Sequence, residues 1–326
     1  MEKTRGLVLG KFMPLHNGHI HLIETAAAQV DELTIFVCSI ASEPISGALR
    51  YHWMREQFPD LRVIHIMDEN PQEPGEHRFF WEIWTNTIQR NCPEGVDIFF
   101  SSEHYGDELA KRINAKHILV DLERKKVLVS ATQIRQNPWG NWAFIPTVVR
   151  PYYIKRVVLS GPESTGKSVL SKKLAAHFNT NFVEEYGRTY CEEIKNDLDP
   201  IDFGHIAGGQ MIMEDMAAKK ANKVLFCDTD LIITQVWAEI YFNHCPQWIL
   251  EASHQRKYDL FILLDVDIPW VNDGTRAFEK QRHWMWNRLR EEFESRNLPY
   301  IMIKGGFQER FDQAVEAVEE LLGREA

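Results

Sequence analysis

The chain has 326 residues, 44% of them hydrophobic and 26% charged, which is a globular profile long enough for two domains. Its formal net charge of −10 argues against a broad nucleic-acid surface, so no DNA partner is expected. Five scattered cysteines with no C-x-x-C pair argue against a disulfide framework or a zinc site and suit a cytoplasmic protein, and without a membrane-length apolar run or a signal-peptide core no membrane insertion is expected.

Thr4–Gly10 (TRGLVLG) predicts a buried first strand, followed by a loop through Gly10, Lys11, Phe12, His16 and Gly18 and a helix opening at His19. His16 and His19, three apart at a helix start, can face one ligand, and Gly18 lets the backbone approach it. The positive helix end there favours an anion. Further strands are predicted at Leu33–Cys38, Arg62–Met67, Val96–Phe100 and His117–Val120, with helices at Ala48–Phe58 and Phe79–Arg90. Such alternation implies a parallel, doubly wound sheet. Asp68–Glu76 (DENPQEPGE) reads as a polar rim or lid loop. Trp81 and Trp84 share one helical face, mainly as core, with ring stacking as the less favoured alternative. Ser130, Thr132 and Arg135 lie in SATQIR, where two hydroxyls can cap a helix and the guanidinium can hold phosphate oxygens. H-x-G-H after a first strand, together with S-x-T-x-x-R, resembles the nucleotidylyltransferase superfamily.

Asn137–Tyr153 (NPWGNWAFIPTVVRPYY) breaks every period, and its prolines favour extended backbone. It reads as a packed linker with the domain boundary near Arg150, giving domains 1–150 and 151–326. Beyond it Lys155–Ser160 predicts a strand. The next residues, Gly161, Pro162, Glu163, Ser164, Thr165, Gly166, Lys167 and Ser168, fit G-x-x-x-x-G-K-[ST] and run into a helix. Backbone N–H groups and the helix start would face a triphosphate, Lys167 would meet its outer phosphates, and Ser168 would ligate Mg²⁺. Asn181–Glu185 predicts a strand leading to Glu184, Glu185, Tyr186 and Arg188, which are candidates for the acceptor, its base and its charge. Lys223–Cys227 predicts a strand ending at Asp228, the metal-side carboxylate, with Asp230 beside it. Strands are also predicted at Tyr258–Asp265 and Tyr300–Ile303 and a terminal helix at Phe307–Leu322. The polar stretch 268–282 reads as a lid carrying Arg276 and Arg282.

An H-x-G-H site followed by a phosphate loop resembles the NadR family over the whole chain, through GKFMPLHNGH, SATQIR, GPESTGKS, EEYGR, DTD and NDGTR. The resemblance implies two α/β domains with doubly wound parallel sheets, a nicotinamide-nucleotide (NMN) adenylyltransferase and a ribosylnicotinamide kinase, with ATP as co-substrate and Mg²⁺. His16 and His19 would stabilise charge on the α-phosphate, while Lys11, Ser130, Thr132 and Arg135 hold the leaving pyrophosphate. Lys167, Asp228 and Arg276 would serve phosphoryl transfer, with Asp230 or Glu185 as base. A homo-oligomer is compatible with this reading. The helix-turn-helix repressor segment of some members is not expected, since the first strand begins near Thr4. Two alternatives stay open: a similar enzyme pair for pantetheine phosphate or a flavin, and a nucleotide sensor that works by protein binding.

Overall fold

A computed structural model of the chain describes residues 3–102, 106–123, 125–194, 197–270 and 279–323. The chain divides into two compact units, Met1–Arg150 and Pro151–Ala326.

The first unit runs β1 (Arg5–Gly10), α1 (Asn17–Ala27), β2 (Glu32–Cys38), α2 (Gly47–Gln57), β3 (Arg62–Ile66), α3 (Phe80–Asn91), β4 (Ile98–Ser101), α4 (Gly106–Arg112), β5 (Lys116–Leu119) and α5 (Ala131–Gln136). Its strands form a parallel sheet in the order β3-β2-β1-β4-β5. Parallel neighbours need crossovers, and helices supply them. Leu7, Val8, Ile35, Phe36, Phe99 and Phe100 are buried in unbroken runs, as a sheet covered on both faces requires. The chain lays β2 and β3 on one side of β1, then β4 and β5 on the other. The order therefore reverses at β1, and a crevice opens at its carboxyl end, beyond Gly10.

The second unit follows α6 (Arg150–Tyr153) with β6 (Lys155–Ser160), α7 (Lys167–His177), β7 (Phe182–Val183), α8 (Tyr186–Glu193), α9 (Asp202–Ala218), β8 (Val224–Cys227), α10 (Leu231–Phe242), α11 (Gln247–Gln255), β9 (Leu260–Leu264), α12 (Arg282–Ser295), β10 (Tyr300–Ile303) and α13 (Phe307–Leu321). Its parallel order is β10-β9-β6-β8-β7, so the reversal falls at β6, whose carboxyl end leads into Gly161.

Two features differ from the sequence expectation. The junction is extended at Ile145, before Pro146, as expected, but helical at Arg150, before Pro151. Trp142–Phe144 forms a 3₁₀ turn and Arg150–Tyr153 a helical turn, with Pro151 in the first turn, where its missing N–H costs nothing. Arg150 caps the segment internally, its Nε donating to Ile145 O at 2.9 Å while the guanidinium lies 5.4 Å from the Trp142 ring. The long helices α9 and α10 were not predicted. Leu231 to Val236 are buried one after another, so α10 shows no amphipathic period, and three glycines dilute α9. Fragments 1–150 and 151–326 are each expected to melt cooperatively by circular dichroism. A fragment that is unfolded at 25 °C would show that the boundary cuts a shared core.

Candidate active sites

The first site is built on the β1–α1 loop. His16 caps α1, its Nδ1 accepting the Gly18 N–H at 3.1 Å. An accepting Nδ1 leaves the ring proton on Nε2, as a donor. A Cβ on Gly18 would stand 2.9 Å from His16 Cε1, so only glycine admits the ring there. The His16 and His19 rings stack with centroids 3.7 Å apart, and Phe12, itself buried, meets His19 edge-on at 5.0 Å. Phe12 also lies over Gly10, 3.2 Å from where a Cβ would sit.

Two arms reach this loop from elsewhere in the unit. Arg135 donates to Met13 O and, at 3.1 Å, to Thr132 Oγ1, which brings the SATQIR motif to the histidine loop. Ser130 caps α5 in a reciprocal box with Gln133. From behind, Arg50 is fully buried and donates to Lys11 O at 2.5 Å, Cys38 O at 3.1 Å and Ile45 O at 3.0 Å. Its remaining donor meets the Glu43 carboxylate, which also holds Lys11 Nζ at 3.3 Å. Trp84 is buried in the core and its indole N–H is taken by Pro71 O at 2.9 Å, so it fastens the 68–76 loop to α3, as Asn70 does through Thr87. Trp81 is partly buried against the same core, with Arg112 5.7 Å from its ring.

The second site is built on the β6–α7 loop. Gly161 has φ +141°, and a Cβ there would stand 3.1 Å from Leu264 O, so neither the angle nor the space suits another residue. Gly166 starts α7 in the left-handed region. Lys167 Nζ rests on the loop's own carbonyls, Gly161 O at 2.7 Å and Pro162 O at 3.0 Å. Arg310, buried on α13, donates to Thr165 O at 2.9 Å, Gly305 O at 2.8 Å and Asp265 O at 3.1 Å and pairs with Asp267. Arg282, at the start of α12, reaches Ile268 O at 3.2 Å and Ser164 O at 3.5 Å. Arg276 lies outside the described residues.

Two aspartates follow β8 and play different parts. Burial pushes the Asp228 carboxyl up to about 6, opposed by the Lys167 charge and a Ser168 hydrogen bond, while Glu185 raises it and Arg188 lowers it. Four residues singled out from sequence, Lys167, Ser168, Glu185 and Arg188, are thus gathered around one carboxylate. Asp230 is fully buried and caps α10, accepting the Ile233 N–H at 2.7 Å; burial pushes it up to about 7. Asp228 Oδ1 is buried with no hydrogen-bond partner among the described residues. A lone carboxylate beside a serine hydroxyl is a hard-oxygen donor set that fits Mg²⁺, which takes one or two protein ligands and completes its shell with phosphate and water. Among the described residues no group of three or more His, Cys, Asp or Glu could hold a metal alone.

Beside the loop lies a cavity of about 330 Å³. Glu163, Glu185 and Glu192 line its polar part with Lys167 and Arg188, while Phe203, Ile206, Trp237 and Tyr241 form an apolar wall. Arg188 pairs with Glu185 at 3.5 Å, whereas Glu184 is exposed and pairs with Lys172 at 3.2 Å. Tyr186 lends its backbone N–H to Gln210. Sequence reasoning missed Arg50, Arg310, Gln210 and the α9–α10 wall. The arginines act through long-range backbone contacts that no local pattern encodes, and the wall follows from the helices that were not predicted. Arg310→Met is expected to destabilise the second unit by at least about 2 kcal/mol, because three buried carbonyls lose a charged donor. Denaturant unfolding of the variant checks this.

Residues 7–137 match the cytidylyltransferase-like family and residues 156–310 the AAA domain family. The trifunctional NAD biosynthesis/regulator protein NadR of Escherichia coli (strain K12) is 35% identical over 351 residues, covering 99% of this chain and 85% of that protein. The nicotinamide-nucleotide adenylyltransferase of Thermococcus onnurineus (strain NA1) is 30% identical over 146 residues, 41% of this chain and 75% of that protein. A crystal structure of NadR protein in complex with NR superposes with a TM-score of 0.83 at 26% identity, over 100% of this chain and 98% of that one, and one in complex with NAD and AMP-PNP does so with a TM-score of 0.82. Both loops described above lie inside the matched segments, and the likeness to NadR runs through both units in the same order, so the chain belongs to the NadR family.

Proposed function

We propose that the chain makes NAD from ribosylnicotinamide with two molecules of ATP, the second unit acting as ribosylnicotinamide kinase and the first as NMN adenylyltransferase. The observation that carries the reading is the cavity beside Lys167. Its three glutamates against two cations, and its Trp237–Tyr241 wall, suit a flat, positively charged ring. The quaternised pyridinium of ribosylnicotinamide is such a ring. Five free cysteines, and no helix among the described residues long and apolar enough to cross a membrane, are compatible with the cytoplasmic location proposed alongside.

In the kinase site the triphosphate lies over Gly161–Ser168, against the loop's N–H groups and the start of α7. Lys167 exchanges the carbonyls of Gly161 and Pro162 for phosphate oxygens. Ser168 and Asp228 would hold Mg²⁺, which supplies charge neutralisation on the phosphates. The 5′-hydroxyl oxygen bonds to the γ-phosphorus, its proton goes to Glu185, and ADP leaves with the bridging oxygen. Glu185 is preferred to Asp230 as base because it lines the cavity, whereas Asp230 is enclosed and bound to Ile233 N–H. Arg188 and Arg282 add positive charge near the transferred group, a part also assigned to Arg276.

In the adenylyltransferase site a phosphate oxygen of NMN bonds to the α-phosphorus of ATP and pyrophosphate departs. His16, donating from Nε2, and His19 stabilise charge there. Lys11 releases Glu43 to join Ser130, Thr132 and Arg135 on the leaving group. Gly10, Phe12 and Gly18 shape the loop. No covalent intermediate is required, since positioning and charge neutralisation suffice.

Reciprocal variants test the two-site reading. Lys167→Ala is expected to lower ribosylnicotinamide phosphorylation by about 100-fold or more and leave NMN adenylylation within twofold, with His19→Ala doing the reverse mainly through kcat. Steady-state kinetics of both reactions in each variant check this, and equal loss of both activities would defeat it.

The kinase should also depend on pH through Asp228. Its carboxyl titrates near 6, so below that pH a proton competes with the cation for the same oxygens. The Mg²⁺ concentration for half-maximal phosphorylation is expected to rise about tenfold per pH unit below 6 and to level off above it. A Mg²⁺ titration between pH 5 and 8 reads this directly, and a flat profile would remove Asp228 from the metal.

A further inference from the structure

Resting on the kinase reading above, we infer that Gln210 is a specificity-determining residue whose side-chain amide donates a hydrogen bond to the carboxamide oxygen of the substrate's pyridinium ring. Gln210 lies on α9, is 1% exposed and lines the cavity. Its Oε1 accepts the Tyr186 N–H at 3.0 Å, which fixes the orientation of the amide and leaves Nε2 as a donor. That Nε2 is buried and has no hydrogen-bond partner among the described residues. A buried donor left unmet is costly, so a group that meets it on binding gains selectively over one that cannot.

The position of Gln210 indicates which group that is. Phe203, Ile206 and Gln210 follow one another at helical spacing along the same stripe of α9, and all three line the cavity. α9 packs against α10, which brings Trp237 and Tyr241 into the same cavity. A pyridinium ring against this wall places its substituent, and not its sugar, beside the stripe. The ribose hydroxyls have better partners in the glutamates of the polar part, because a hydroxyl can donate to a carboxylate. A carboxamide oxygen only accepts, and Gln210, with its own oxygen committed to Tyr186, only donates.

The test uses the full-length protein, two ribosides and one substitution. Ribosylnicotinamide and 1-ribosylpyridinium, which lacks the carboxamide, are titrated calorimetrically and assayed as kinase substrates with wild type and Gln210→Met. The substitution keeps side-chain length and removes the amide. Affinity and kcat/KM for ribosylnicotinamide are expected to fall about tenfold or more, with those for ribosylpyridinium changing less than about twofold. The wild-type preference for the carboxamide should vanish in the variant. This ratio between two ligands of one protein sample does not depend on the fraction folded, and a circular-dichroism melting curve of the same sample reports on its integrity. Equal loss for both ribosides would place Gln210 on the ribose or in the scaffold and overturn the inference, as would no loss for either. A wild-type protein that binds neither riboside would instead overturn the kinase reading itself.

Discussion

Each of the two strand-to-helix loops at the candidate sites is supported from behind by one buried arginine that grips backbone carbonyls. Arg50 holds Lys11, Cys38 and Ile45, and Arg310 holds Thr165, Asp265 and Gly305. A trans peptide points its C=O and N–H in opposite directions. The loop carbonyl that each guanidinium draws back, Lys11 O or Thr165 O, therefore turns the following N–H, of Phe12 or Gly166, away from the arginine. The planar fork of donors on arginine ties that carbonyl to carbonyls of two other segments in a fixed geometry, whereas Lys167 holds only two neighbouring carbonyls of its own loop. A buried guanidinium is tolerated only with its charge answered, and Glu43 and Asp267 answer it. The two units thus reach a similar solution on different loops.

Electrostatics then separates groups that look equivalent in sequence. Asp228 and Asp230 flank a single threonine and are both raised by burial, yet Asp230 is tied to a helix start while Asp228 stands by Lys167 and Ser168. A side chain committed to a backbone N–H has little freedom left for chemistry, and one offset only by neighbouring charge can exchange that charge for a ligand. Lys167 illustrates the same exchange, since its carbonyl partners hold the ammonium in place without neutralising it.

Much of the fold was legible in the sequence because central parallel strands write themselves as apolar runs, and strands such as Lys155–Ser160 and Tyr300–Ile303 were read at their observed bounds. Both loops were legible because a tight strand-to-helix turn restricts residue types locally, as Gly161 shows by its angle and its neighbour Leu264 O. The cavity wall was not. α10 is buried along consecutive residues, so periodicity is silent there, and α9 carries glycines that a propensity argument counts against a helix. The donor of Gln210 and the grips of Arg50 and Arg310 depend on partners distant in the chain and have no local signature, whereas the cap of Asp230 on Ile233 is local and was hidden only because the helix after it was not predicted.

The distance between a loop and its arginine also sets a timetable for synthesis. Arg50 follows Lys11 by 39 residues, so at roughly 5–20 residues per second the first loop waits about 2–8 s for this support, and about 6–24 s for Arg135, which reaches Met13 from 122 residues on. Arg310 follows Thr165 by 145 residues, a delay of about 7–30 s. The central strand β6 also lacks its neighbour β9 for most of that interval, leaving a parallel edge unpaired on the ribosome. Central strand β1 waits almost as long for β4, so both units expose a sheet edge during synthesis, and the loop of the second unit gains its arginine last.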